Sequence, residues 1–415
     1  MNLSIVLLSS CALGFLAQQS QQPLTLGDAR AIARRNSPEL AAARAALDAA
    51  VGRARQAGSL TNPTVSYAYE QTALDAQRTS QAIIAIEQPL ELTGVRGARG
   101  EVARLRREAA EADLRAAENQ LDYDITRAYA TAQAAAVRFA LAQEAITAFE
   151  SAHRVTTARL TAGDASGYEA RRIRLEVARY AALHAEADLA RRTAHFALAT
   201  IVGVPPDSLS LPPLADLPAS VVAVPRDSVL TLALTRRPEL IAAGRQSAAG
   251  LAEARAVGRE RIPIPVLSGG WKTERPLTGD VRLDGFVAGI ALPLPLWDRK
   301  GGAVTAANAD ARRRAAELEV VRRRVVREAE EAYAALEGAE QVVARLRPEL
   351  TGEATAALRA AETAYREGEL SLVEWLDAVR AYSEAQSVFA TLRAEVFARR
   401  AALERATGGP LFEDR

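Results

Sequence analysis

The sequence predicts a mainly α-helical chain with long coiled-coil helices, a small β part and two tandem repeats. Three observations support this prediction. Residues 101–162 contain no glycine and no proline. Prolines and glycines recur in the same order at offsets of 200 to 205 residues. Short runs alternate apolar with polar or small residues, as strands with two different faces do.

The uninterrupted stretch from Glu101 to Ala162 predicts one very long helix. It is rich in Ala, Arg, Glu and Leu, which are strong helix formers. Its apolar residues alternate by four and three, the spacing of a coiled-coil seam. The seam residues are Leu114, Leu121, Ile125, Ala128, Ala132, Ala135, Phe139, Ala142, Ile146 and Phe149. At 1.5 Å per residue the helix would be about 90 Å long, so we expect it to span a distance that no ordinary core requires.

Composition and charge exclude several classes of function. The net charge is +1, so no basic excess indicates a nucleic-acid partner. The single cysteine, Cys11, excludes an intramolecular disulfide and a cysteine metal cluster. His184 and His195 would lie about 16 Å apart along one helix, too far to share a metal ion. No nucleophile or phosphate-binding motif is present, so we expect neither an enzyme nor a cofactor.

The N-terminal segment has the composition of a secretory signal. Leu3 to Ala17 is almost wholly apolar or small, and it is too short to span a bilayer. We therefore assign residues 1–17 to a signal peptide. Two fates remain open, namely cleavage near Ala17 or lipidation of Cys11, which follows a sequence similar to a lipobox. No later run of 18 apolar residues predicts a membrane-crossing helix.

Recurring prolines and glycines divide the chain into two repeats. The matched positions are Pro38 with Pro238, Pro89 with Pro293, Gly163 with Gly368, and Gly203 with Gly408. We place the first repeat at residues 18–203 and the second at 226–408, followed by a tail at 409–415. Residues 204–225 contain six prolines, which is typical of an extended linker.

Each repeat is expected to contain a first helix, a β-hairpin, a long helix, a glycine turn and a return helix. The first helices are predicted at Leu26–Ala57 and Asp227–Gly258, the hairpins at 61–88 and 263–292, and the return helices at Tyr168–Val202 and Leu372–Thr407. The second long helix carries Gly338, Pro348 and Gly352, so we expect it to kink there.

The strand runs are about 8–10 residues long, the length of strands that cross a membrane. Alternation alone also fits an ordinary sheet with one buried face. Four strands, however, are too few to close a barrel. Prolines bracket the runs, and proline fixes φ and cannot donate to a sheet. We therefore expect strand–helix junctions at Pro63, Pro89, Pro263 and Pro293.

Several short motifs recur in order along the two repeats. They are Pro38-Glu39-Leu40 with its repeat Pro238-Glu239-Leu240, Gln88-Pro89-Leu90-Glu91-Leu92-Thr93-Gly94, Leu292-Pro293-Leu294-Pro295-Leu296-Trp297-Asp298-Arg299, Arg159-Leu160-Thr161-Ala162-Gly163 and Tyr365-Arg366-Glu367-Gly368. In this order they resemble the motifs of TolC-like outer-membrane efflux proteins. Each motif is weak alone, but the resemblance covers nearly the whole chain. The two motifs after the hairpins are most similar to the heavy-metal-efflux branch.

The resemblance implies a homotrimer in which four strands per chain complete a 12-stranded outer-membrane barrel, continued by a coiled-coil α-barrel tunnel through the periplasm. It implies a passive exit duct surrounded by outer-membrane lipid. The implied partners are a periplasmic adaptor and an inner-membrane pump of the resistance-nodulation-division type. The implied cargo is metal cations or small organic toxic compounds. The alternatives are a type I secretion outer-membrane channel and a periplasmic coiled-coil scaffold without a pore.

The resemblance also implies two sets of functional residues near the glycine turns. The tips that meet the adaptor are Gly163, Asp164, Gly368 and Glu369. The aperture candidates are Glu374, Asp377, Glu169, Arg171 and Arg172. Three-fold symmetry would turn the acidic residues into rings that attract cations, while the arginines would hold the aperture shut through salt bridges. The alternative for Glu374 and Asp377 is a solvated acidic pair on one helix face.

Overall fold

The structure is a computed structural model that describes residues 24–74, 77–163, 166–208, 210–211, 224–276, 281–367 and 369–412. The predicted signal peptide with Cys11, the tip residues Asp164 and Gly368, and most of the predicted linker lie outside these residues. The chain forms two compact units. The first comprises Met1–Leu40, Ala117–Ala233 and Arg327–Arg415, and the second comprises Ala41–Ala116 and Leu234–Val326.

Helices dominate the described part of the chain. They are α1 (Leu26–Asn36), α2 (Pro38–Gly58), α3 (Val95–Ala162), α4 (Gly167–Val202), α5 (Arg226–Arg236), α6 (Pro238–Arg259), α7 (Gly301–Arg347), α8 (Ala354–Glu367) and α9 (Leu372–Thr407). A short 3₁₀ turn lies at Pro206–Ser208. Among the residues that the structure describes, every helix lacks the apolar length needed to cross a lipid bilayer.

The first helix of each repeat is broken in two, so the prediction of one continuous helix at Leu26–Ala57 and at Asp227–Gly258 is wrong. The breaks lie at Ser37 and Arg237, which have ψ values of 120° and 119°. Each precedes a proline, whose ring disfavours helical geometry in the residue before it. At the first break the Ser37 hydroxyl accepts a hydrogen bond from the Leu40 N–H at 3.1 Å, so the new helix begins with a cap.

The long helix α3 has 68 residues and begins at Val95, six residues before the predicted start. All ten predicted seam residues are buried or half-buried, and Ile125 and Phe149 are fully buried. The second long helix passes through Gly338 without a break. It changes at Pro348–Glu353 into a π-helical turn, because proline cannot donate the hydrogen bond that an α-helix requires.

The strands form one antiparallel sheet in the order β1-β2-β3-β4. They are β1 (Thr64–Leu74), β2 (Gln77–Pro89), β3 (Val266–Arg275) and β4 (Leu283–Ala291). One face carries a row of directly paired large side chains, each at least half exposed: Tyr67, Ile84, Trp271 and Phe286. The opposite face is mainly polar or small. The sheet therefore has an apolar face that nothing else in the described chain covers.

The four junction prolines lie at or near the strand ends. Pro63 immediately precedes β1, and Pro89 is the last residue of β2. Pro263 precedes β3 by three residues, and Pro293 follows β4 by two. The ladder between β2 and β3 continues past Pro89, because the Leu90 N–H donates to the Pro265 carbonyl at 2.8 Å.

Candidate functional site

The first tip turn reverses the chain between α3 and α4. Gly163 has a φ of +87°, and its N–H donates to the Leu160 carbonyl at 3.1 Å. Glycine adopts this left-handed conformation without the strain that a Cβ would cause, so the residue type suits the turn. At the second tip, the N–H groups of Glu369 and Leu370 both donate to the Ala364 carbonyl, at 2.9 and 3.2 Å.

A capping box starts the helix after each tip. Ser166 and Glu169 exchange hydrogen bonds of 3.1 and 3.2 Å at the start of α4. Ser371 and Glu374 do the same at the start of α9, at 2.9 and 3.4 Å. Each glutamate satisfies a backbone N–H that the helix leaves without a partner. The repeated Ser-x-x-Glu pattern is a local signal of a helix start that is visible in the sequence itself.

The two acidic aperture candidates of the second repeat have different local partners. The Ser371 hydroxyl and N–H both donate to Glu374, and these hydrogen bonds lower the pKa of its carboxyl group. Asp377 lies one turn further along α9 and accepts a 2.9 Å hydrogen bond from Arg380. Both carboxylates are exposed to solvent, so both can still attract a cation.

An ion pair between Arg380 and Glu176 joins α9 to α4. Arg380 Nε donates to Glu176 Oε2 at 3.2 Å, and Nη2 contacts Oε1. The side chains of Arg380 and Glu176 are only 25% and 12% exposed, so solvent screens this pair less than a surface pair. Burial raises the pKa of the neighbouring Tyr180 hydroxyl. Arg380 could not be predicted as a functional residue from local sequence, because its partner lies 204 residues away.

Arg172, one of the two arginines predicted to hold the aperture shut, makes a hydrogen bond within α4. Arg172 donates to the Tyr168 hydroxyl at 3.3 Å, and this hydrogen bond raises the pKa of the guanidinium. The charges of Asp377 and Glu176 act in the same direction, so Arg172 lies within electrostatic reach of both. Arg171 is exposed on α4. The observed ion pair between α4 and α9 is therefore made by a basic residue of the second repeat.

An aromatic cluster packs next to the candidate aperture residues at the start of α9. The ring of Phe149 lies 4.5 Å from Tyr180 and 6.3 Å from Trp375, and Trp375 stacks on Tyr365 at 5.3 Å. These four residues belong to α3, α4, α9 and α8, so the cluster ties four helices together. Such contacts hold the capped helix starts in a fixed relation to each other.

The aperture candidates occupy equivalent positions in the two repeats. An offset of 205 relates Ser166 to Ser371 and Glu169 to Glu374. The same offset relates Arg172 to Asp377, which carry opposite charges. The arrangement provides charge at the ends of helices and no metal cluster, since no group of three or more metal-ligating side chains is found in the part of the chain that the structure describes.

Comparisons with known proteins give matches in both sequence and structure. Residues 30–204 and 229–409 match the sequence profile of a family described as outer membrane efflux protein. The chain is 28% identical over 289 residues to the cobalt-zinc-cadmium resistance protein CzcC of Cupriavidus metallidurans. That match spans 69% of this chain and 66% of the relative, which is just under two thirds of the relative's length.

Solved structures share the fold. A membrane protein from Pseudomonas aeruginosa superposes with a TM-score of 0.75 at 21% identity, covering 93% of this chain and 90% of that one. The open-state MtrE outer membrane channel of Neisseria gonorrhoeae gives a TM-score of 0.73 at 20% identity, covering 94% and 90%. These likenesses confirm the predicted fold class of long helices with a four-stranded contribution to a membrane barrel.

Proposed function

The chain belongs to the outer membrane efflux protein family, and from that membership we propose that it is the outer-membrane exit duct of a tripartite efflux system. Channels of this family work as trimers with a periplasmic adaptor and an inner-membrane pump. The duct lies in the outer membrane with a large periplasmic part, and it conducts passively while the pump supplies the energy.

The unclosed sheet is the observation that carries this proposal. Its apolar face is exposed along the row from Tyr67 to Phe286, and β1 and β4 each have one edge without a strand partner in the described residues. In hydrocarbon, unpaired backbone groups at such edges cost several kcal/mol each, so the sheet has to close. Three copies supply twelve strands, which supports a homotrimer.

We propose that the cargo is divalent metal cations. The relative CzcC is named for resistance to cobalt, zinc and cadmium. The tip region supports this cargo, because Glu169 and Glu374 occupy equivalent positions and a trimer would present six carboxylates there. One turn further along, Arg172 and Asp377 would alternate in sign. The pump would be of the resistance-nodulation-division type, and the adaptor would contact the tip residues Gly163, Asp164, Gly368 and Glu369.

The gate in this proposal is held by contacts between α4 and α9. The Glu176–Arg380 pair and the Phe149 cluster hold the two helix starts together. Glu374 and Asp377 would set the preference for cations at the entrance. Opening would require the ends of α4 and α9 to separate, which breaks the ion pair.

Cargo is tested in cells that lack the gene for this chain. We expect them to accumulate cobalt, zinc and cadmium several-fold above cells carrying the intact gene, and reintroducing the gene should restore the lower level. Normal metal content with accumulation of an organic dye would contradict metal cargo but leave the duct in place. Normal cellular content of both the metals and the organic dye would contradict the exit-duct function.

The gate is tested by conductance in planar bilayers. We expect Glu374→Ala with Asp377→Ala to lose cation selectivity and block by divalent ions, because both carboxylates would lie at the entrance in this proposal. Glu331→Gln is the matched control, since its carboxylate is 60% exposed and pairs with Arg327 on one helix. Unchanged selectivity in the double variant would remove these residues from the gate, and absence of conductance in the intact protein would favour a scaffold without a pore.

A further inference from the structure

The second long helix contains one residue more than the first. In an inference that rests on the proposed duct and its gate, we propose that the π-helical turn at Pro348–Glu353 stores this residue as a register switch. With the turn present, Leu358 and Tyr365 of α8 pack beside the start of α9. When the turn becomes a regular helix, α8 rotates by one residue, brings Ala357 and Ala364 to that face, and releases the start of α9.

The extra residue lies between Val343 and Leu358. Up to the turn, an offset of 204 relates buried residues of α7 to the seam of α3, namely Ala329 to Ile125, Leu336 to Ala132 and Val343 to Phe139. Beyond the turn the offset is 205, which relates Leu358 to His153 and Tyr365 to Leu160. Phe139 and His153 are 14 residues apart, which is two heptads of a coiled-coil seam. Val343 and Leu358 are 15 residues apart.

Burial supports the change of offset at the turn. An offset of 204 beyond the turn would relate the half-buried Leu358 to the exposed Arg154, whereas an offset of 205 relates it to the half-buried His153. The glycines of the two tips show the same offset of 205. The inserted residue therefore lies in the interval that contains the π-turn, and the seam continues on both sides of it.

The hydrogen bonds of the turn accommodate the extra residue. The Ala354 N–H donates to the Glu349 carbonyl, five residues back rather than the four of an α-helix. The Leu350 carbonyl, which a regular helix would pair with that N–H, accepts a 2.9 Å hydrogen bond from the Gln386 side chain of α9. Gln386 therefore stabilises the π-turn, and in a regular helix it would compete with the Ala354 N–H for this acceptor.

Pro348 favours the π-turn over a regular helix. In a regular helix its ring would collide with the carbonyl four residues earlier, at Ala344. A turn that contains one more residue relieves this collision. Pro348 and Gln386 therefore both favour the observed register, which makes it the resting state.

The two registers present different side chains of α8 to the aromatic cluster. In the observed register Leu358 and Tyr365 pack against that cluster, and Tyr365 stacks on Trp375 at 5.3 Å. One residue of α-helix corresponds to a rotation of about 100°. This rotation would replace Leu358 and Tyr365 by Ala357 and Ala364. Both registers place apolar side chains on the seam, but only the observed one provides a ring that holds Trp375 and the start of α9.

The first repeat differs at the equivalent positions. Residues 143–148, which correspond to the turn, are regular helix within α3. A rotation by one residue beyond them would bring Ala152 and Arg159 to the seam. Burial of the arginine without a partner would cost its hydration. The second register is therefore available to α8 but not to the corresponding part of α3.

Two variants with and without the extra residue test the switch in planar bilayers. We expect Pro348→Ala to raise the open fraction at least about tenfold, because it removes the collision that disfavours the regular helix. Deletion of Gly352 in the same variant should reverse this increase, since a regular helix then keeps Leu358 and Tyr365 on the seam. Pro348→Ala with Gly352→Ala is the matched control. It keeps the length, and the added Cβ meets no heavy atom within 4 Å among the described residues.

Thiol labelling reports the register of α8 without requiring conduction. In a chain with Cys11→Ser, the reporters are Ala357→Cys, at an exposed position, and Leu358→Cys, at a half-buried one. We expect Pro348→Ala to slow maleimide labelling at the first reporter and to accelerate it at the second, each at least about threefold. Deletion of Gly352 should restore both rates.

The outcomes separate the switch from the duct. Equal labelling rates with and without Pro348→Ala would overturn the switch and leave the duct proposal in place. Equal open fractions with and without the deletion, in variants that both form trimers, would also overturn the switch. If the deletion variant fails to assemble, the labelling of Pro348→Ala alone decides. The expected labelling in a protein that does not conduct would overturn the duct proposal and keep the two registers.

Discussion

Removing Arg380 should loosen the contact between α4 and α9. In Arg380→Ala the Glu176 carboxylate keeps its position, where only 12% of its side chain is exposed, but it loses two hydrogen bonds from the guanidinium. Breaking a buried pair by removing one partner costs about 3–5 kcal/mol, and partial exposure reduces this to about 2 kcal/mol. A difference of that size shifts the balance between separated and paired helices by about 30-fold in each subunit.

Single-channel recording in planar bilayers checks this prediction. We expect Arg380→Ala to raise the fraction of time that the channel is open. Adding Glu176→Gln should lower this fraction part of the way back, because it removes the unpaired charge. Arg327→Ala is the control, since Arg327 pairs with Glu331 on the surface of a single helix and both side chains are about 60% exposed. Exposed pairs of this kind contribute about 0–1 kcal/mol. Equal open fractions in the Arg380 and Arg327 variants would refute the reasoning.

Three further predictions concern stability. Phe149→Ala should lower the free energy of unfolding by about 3–5 kcal/mol, because the ring is fully buried, whereas Leu175→Ala, at 72% exposure, should have little effect in the same denaturant titration. The Glu374 carboxylate should stabilise the start of α9 above its unfolded pKa, and this stabilisation should be lost as the pH falls through its lowered folded pKa. Hydrogen exchange at the start of α9 would detect the loss as faster opening below pH 4.5. Gly270→Ala should lower the heat stability of the oligomer on gels, since an added Cβ would overlap the Ile84 carbonyl, while Gly285→Ala adds a Cβ with no heavy atom within 4 Å and serves as its control. A Gly270 variant as stable as the Gly285 variant would contradict the close approach.

Local features of the chain could be predicted well from the residues. The seam of α3 follows from the spacing of its apolar residues, and the turn at Gly163 follows from the freedom of glycine at positive φ. The interruption at Pro348 follows from the missing N–H of proline. The breaks at Ser37 and Arg237 have an equally local cause in the proline that follows each of them, so they too can be predicted from the sequence.

Among the candidate aperture residues, the helix caps could be predicted from the sequence but the ion pair between helices could not. The capping boxes involve residues only three apart, so the sequence by itself determined that Glu169 and Glu374 cap the starts of their helices. Nothing local indicated Arg380, because an ion pair forms only when two helices from different repeats bring their side chains together. Composition specifies which residues carry charge, but packing selects their partners.

The same distinction between local sequence and tertiary structure applies to the sheet. Alternation of side chains by itself determined the four strands and their two faces, because each strand's period of two is a local property. Only the tertiary structure decided that β2 lies beside β3, since this contact joins the two repeats and brings the backbones close together at Gly270. Sequence therefore determined the elements and their caps, which depend on neighbours in the chain. Tertiary structure decided the contacts between repeats, which depend on backbone positions that no short stretch encodes.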